Sequence, residues 1–156
     1  MSHPETRVMT EHGDLPRVLA VGGYLVRYGR PIWGLETANG IPYTEVFVLR
    51  AFREAIARGG DVVATIGGVV LRKAEGGVVL KEEIDGVSYS LRVADGPEGQ
   101  ALLEACVKAK DVTFTFHATK EWWTPPIVHG EKEPEKVARL RAVMAGEITG
   151  IEIVVE

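Results

Sequence analysis

VVLKEEIDGVSYSLRV, Val78–Val93, is the run on which the fold class turns. Apolar and polar residues alternate on both sides of Asp85-Gly86. An Asp-Gly pair between two alternating runs is the mark of a two-residue β-hairpin, because both turn positions need positive φ. Such a turn predicts Ile84 opposite Val87, Glu82 opposite Tyr89, Leu80 opposite Leu91 and Val78 opposite Val93. These residues share one apolar face, and Lys81, Glu83, Ser88, Ser90 and Arg92 lie on the other, polar one.

Upstream of the hairpin, Val62–Lys73 reads as a strand interrupted by Gly67-Gly68. Arg17–Tyr28 reads as another, apolar on both faces and therefore expected inside the sheet, with Gly22-Gly23 marking a bulge or a close backbone approach. Ile32–Glu36 is expected to pair back on it, and Pro42 to end any strand. Thr44 is placed as the N-cap of a helix running to Arg58, with Val48, Phe52, Ala55 and Ile56 inward and Gly59-Gly60 as its stop. Residues 1–15 are polar and aperiodic, which predicts a flexible tail before a single domain over 16–156.

Downstream, Pro97 and Glu98 open a helix that runs to about Lys108. The next stretch, DVTFTFHATKEWWTPPIVHG (Asp111–Gly130), begins as a strand. Val112, Phe114 and Phe116 fall on one face of it, and Thr113, Thr115, His117 and Thr119 on the other. A Trp/Pro loop over 121–129 follows. Pro134 is expected to open a last helix to Ala145, with Val137, Leu140 and Met144 inward, and Ile148–Val155 closes as a strand. Together these segments predict an α+β chain: one domain, an antiparallel-rich mixed sheet of six to seven strands, and three helices mainly on one face.

Composition narrows the function classes. The 156 residues are 46% hydrophobic and 26% charged, as in ordinary folded proteins, and no apolar run approaches a membrane span. A net charge of -4 counts against non-specific binding to phosphate backbones. Cys106 is the only cysteine and the N-terminal segment lacks the apolar core of a secretory signal, so a reducing cytoplasmic location is expected. One asparagine (Asn39) and one glutamine (Gln100) beside plentiful Glu and Arg point to a thermophilic source, with genomic GC bias as the competing explanation.

Chemistry concentrates in the Trp/Pro stretch. His117, His129 and Glu121 together offer two imidazoles and a carboxylate, a set that can bind a metal or support hydrolase-like general-base chemistry. Their spacing matches no known metal motif, and His117 also simply continues a row of threonines. Adjacent tryptophans on an extended chain cannot both point inward, so Trp122 and Trp123, with Pro125, Pro126 and Ile127, form a candidate contact surface. Glu82 opposite Tyr89 makes a second candidate catalytic pair, a carboxyl raised by burial beside a phenol. Cys106 lies on an apolar helix stripe and reads as structural, and the glycine pairs form no phosphate-binding loop, so no cofactor is indicated.

Three readings follow. In the preferred one the chain is a non-catalytic binding or assembly module that associates with itself through the loop 121–129. The second is a small metal-binding protein or enzyme using His117, His129 and Glu121. The third is a single-stranded nucleic-acid binder that uses a polar sheet face made of Thr113, Thr115, His117, Ser88, Ser90 and Arg92. Its strand aromatics point away from that face, whereas such binders stack bases on aromatic platforms.

Overall fold

The computed structural model describes residues 18–124 and 139–155. Nine strands, two α-helices and a short 3-10 turn at Lys73–Glu75 make up this part of the chain. The strands are β1 (Val18–Arg27), β2 (Ile32–Glu36), β3 (Pro42–Phe47), β4 (Val63–Ile66), β5 (Val69–Arg72), β6 (Val78–Glu83), β7 (Gly86–Ala94), β8 (Ala109–Thr124) and β9 (Arg139–Val155). The helices are α1 (Arg53–Arg58) and α2 (Pro97–Val107). The class is mixed α+β, as the sequence predicts, but strands dominate it. No described helix is long and apolar enough to cross a membrane.

Two sheets enclose the core. The smaller has the order β1-β7-β6, all antiparallel. The larger is organised around β9, which holds β3 against its first half and β4 against its second, both parallel. β2 and β5 extend that side antiparallel to β3 and β4. Along its opposite edge β9 pairs antiparallel with β8 over almost its whole length. One apolar cluster joins the two sheets and both helices. Val78, Val87 and Leu91 come from the small sheet, Phe47, Ala64, Ile66, Val143, Ile151 and Ile153 from the large one, and Phe52 and Leu102 from the helical segments.

The β6–β7 hairpin forms with a corrected register. Glu82 faces Val87, Leu80 faces Tyr89 and Val78 faces Leu91, so the turn is Ile84-Asp85 rather than Asp85-Gly86. Asp85 is fixed there by three bonds. Its carboxylate accepts from Tyr24 Oη at 3.0 Å and Arg27 Nη1 at 2.9 Å, and its carbonyl accepts from the Tyr28 N–H at 2.8 Å. Gly86 already lies in the strand, where a Cβ would run into the Val26 carbonyl of β1. The opposing residue moves by two places, so every side chain keeps its face and Val78, Val87 and Leu91 are buried as expected. Ile84 becomes a turn tip, 93% exposed. The two-residue turn with positive φ at both positions is found instead at Gly67-Gly68 (φ 55° and 93°), which splits the expected 62–73 strand into the β4–β5 hairpin.

Two expected helices are strands in part or throughout their described length. Residues 42–47 form β3, with Pro42 at its first position, where a missing N–H breaks no ladder. Thr44, Val46 and Phe47 suit a parallel strand, and Arg50, in the left-handed region at φ 67°, separates it from α1. Of the residues expected inward, Phe52 and Ala55 are buried and Ile56 half-buried, whereas Val48 is exposed. Residues 139–145, expected to be helical, belong to β9, and Val143 rather than Met144 is buried. Inward-pointing Arg139 and Arg141 conceal that strand's alternation. The described helices are therefore two rather than three. β1 is also an edge strand of the small sheet, not an interior one, and β2 pairs with β3 instead of β1. The close approach expected at Gly22-Gly23 is present, since a Cβ on Gly22 would strike the Tyr89 carbonyl.

Candidate interaction surface

β8 positions the residues that the sequence singled out. Val112, Phe114 and Phe116 face the core opposite Ile153, Ile151 and Ile148, and Thr113, Thr115 and His117 alternate onto the outer face. A bulge sets Thr119 out of register, between Ala118 opposite Gly146 and Lys120 opposite Ala145. Inserting one residue exchanges the faces that follow. Beyond it Glu121 and Trp123 take the inner side, and Lys120, Trp122 and Thr124 the outer side.

The strand continues through both tryptophans, so residues 121–124, expected in a loop, are part of β8. Alternation separates the two indoles. Trp123 is half-buried, its ring 5.3 Å from that of Tyr43. Trp122 is 58% exposed. It forms a row with Ala142 of β9 and Val46 of β3, and Thr124, Leu140 and Thr44 form the next. These neighbours are half-buried or more accessible, in contrast to Phe47 and Val143 on the inner face, which are closed off. Trp33, 73% exposed, sits where the β2–β3 register shifts. Pro125, Pro126, Ile127 and His129 lie outside the described residues.

The outer face of the large sheet has two zones. One is the apolar zone around Trp122. The other is a polar zone of Thr65, Thr113, Thr115 and Glu152 around a shallow hollow of about 290 Å³. Ser88, Ser90 and Arg92 belong to β7 in the other sheet, so the polar surface proposed to unite them with Thr113, Thr115 and His117 is divided between two sheets.

Glu121 is held elsewhere than beside His117. It accepts from Arg141 Nε at 2.6 Å, and Arg141 Nη1 donates to Glu45 at 2.8 Å. The guanidinium lies over the rings of Phe116 and Trp123, at 5.4 and 5.6 Å. Burial pushes the Glu45 carboxyl up, against the pull of Arg141. The sequence gives no signal for this Glu45–Arg141–Glu121 chain, because the segments that carry Glu45 and Arg141 read as two separate helices and are instead β3 and β9. His117 is exposed and stands opposite Glu147 in the ladder. Among the described residues no three His, Cys, Asp or Glu side chains are grouped to hold a metal ion.

The Glu82–Tyr89 pair is also replaced. Glu82 accepts from Tyr28 Oη at 2.7 Å, while Tyr89 faces Leu80. Burial and then the bond to Glu82 raise the Tyr28 phenol, and its oxygen also receives the Phe52 N–H at 3.4 Å. This network ties β1 to β6 and to the start of α1, a structural role. Burial raises the Cys106 thiol, which suits a packing cysteine better than a nucleophile.

One further feature concerns backbone rather than side chains. Among the described residues β8 pairs with β9 alone, so its other edge has no strand partner. Comparison with protein-family models, curated proteins and solved structures gave no match.

Proposed function

We propose that this chain is a non-catalytic assembly module that associates with copies of itself through the Trp122 end of the open sheet face. The observation that carries this reading is Trp122, a large indole 58% exposed on a regular strand, in a row with Ala142 and Val46. A rigid aromatic on a flat, half-buried apolar surface is the usual form of an interface anchor. Two of the carboxylates that the sequence offers for catalysis have structural partners: Glu121 with Arg141, and Glu82 with Tyr28.

Light scattering coupled to size exclusion tests this. The wild type should be oligomeric at micromolar concentration, and Trp122→Ala should weaken association by about tenfold or more, the scale of an aromatic hot spot. Trp123→Ala should chiefly lower stability, since that ring packs on Tyr43. A wild type that stays monomeric at high concentration overturns the reading.

A further inference from the structure

Resting on that reading, we infer how two copies meet: the free edges of β8 pair antiparallel about a two-fold axis at Thr115, joining two large sheets into one. β8 is 16 residues long with one side unpaired among the described residues. Exposed edges are normally kept short or interrupted by charge or proline. Here Val112–Ala118 contains no Asp, Glu, Lys, Arg or Pro, and the residues that β8 bulges out, Lys110 and Thr119, flank that run rather than interrupt it. Such an edge is a template for another strand, and an isologous contact with a second copy closes it without leaving a new edge to propagate.

The register follows from the bulge and the charges. A two-fold axis at Thr115 sets Phe114 opposite Phe116 of the second copy, Thr113 opposite His117, and Val112 opposite Ala118. Each pair lies on one face, as a sheet requires. With Thr119 out of register in both copies, Lys120 then meets Asp111, twice by symmetry, and with Lys110 likewise out of register Glu121 meets Ala109, both on the inner side. The same register therefore keeps the two faces distinct and pairs opposite charges across the two-fold axis. A shift of one residue puts inner side chains opposite outer ones. Moving the axis to Phe116 keeps the faces but sets Lys120 against Thr113, losing the Lys120–Asp111 pair and its symmetry copy.

Two experiments on the full-length chain test the register. In a Cys106→Ser background, Thr115→Cys should form a disulfide-linked dimer under mild oxidation, because residues facing across a two-fold antiparallel pair lie within bridging distance. Thr113→Cys, whose partner is His117, should link far less. Separately, Lys120→Asp and Asp111→Lys should each weaken the dimer roughly tenfold by creating two like-charge pairs, and the double variant should restore it. If the wild type is oligomeric but Thr115→Cys, folded by circular dichroism, does not cross-link, the edge pairing is wrong while self-association stands. Failure of the double charge swap to restore association overturns the register in the same way, and decides alone if Thr115→Cys does not fold. A monomeric wild type overturns both this inference and the reading beneath it.

Discussion

The two faces of the large sheet are built from the same strands yet have opposite fates. On the inner face Phe47 meets Phe52, Phe114 and Phe116 with ring centroids 5.0 to 5.7 Å apart, and Phe47 and Phe52 are sealed from solvent. On the outer face β8 presents Thr113, Thr115, His117 and Trp122, all exposed. The inner face is completed within the chain by the small sheet and the helices. Alternation decides which side chains leave water on folding.

That contrast is easiest to break at Phe47. Phe47→Ala should cost about 3–5 kcal/mol in urea unfolding, the range for truncating a fully buried aromatic. A loss below about 1 kcal/mol would mean that the aromatic cluster is not the core. Tyr28→Phe, also on the core side, should cost about 1 kcal/mol at neutral pH, because it removes the bond to Glu82. The Tyr28 phenol is raised above its ordinary value, so its stabilising contribution holds below about pH 10 and falls away as pH rises further. The gap between wild type and Tyr28→Phe should accordingly narrow in alkali; a gap constant to pH 11 would remove Tyr28 from that network.

On the outer face effects on monomer stability should be the smallest. His117→Ala and Thr113→Val should each lie within about 0.5 kcal/mol of wild type. A larger loss at His117 would show that the exposed imidazole has a structural partner and would erase the distinction between the faces. Measuring these variants below the dissociation concentration sharpens the comparison, since stability and association then separate.

Much of the fold was legible where polarity and geometry agreed. The alternation of Val112 to His117 gave the correct faces, and the hairpin kept its faces even though its turn moved by one residue. The missed elements share a physical cause. Arg139, Arg141 and Glu45 point inward on strands, where Arg141 bonds Glu45 and Glu121, partners that only the assembled sheet brings together, so their segments carry no clean period of two. Arg139–Ala145 and Thr44–Phe47 then look as helical as they look extended. The candidate site was legible as composition, with Trp122 and Trp123 conspicuous in the sequence. Its geometry was not: Glu121 turns to Arg141 across the sheet, and a bulge at Thr119 decides which indole is exposed.

β9 also bears on the order in which the molecule can be made. β3 pairs with residues 139–143 and β4 with residues 150–153, so each waits for a strand that lies roughly eighty to a hundred positions further along the chain. Until β9 arrives, the β2–β3 and β4–β5 pairs have no common neighbour, and β8 has neither edge occupied. The large sheet should therefore close late, slowly and in one concerted step, with the small β1-β7-β6 sheet, whose strands all precede α2, free to form first.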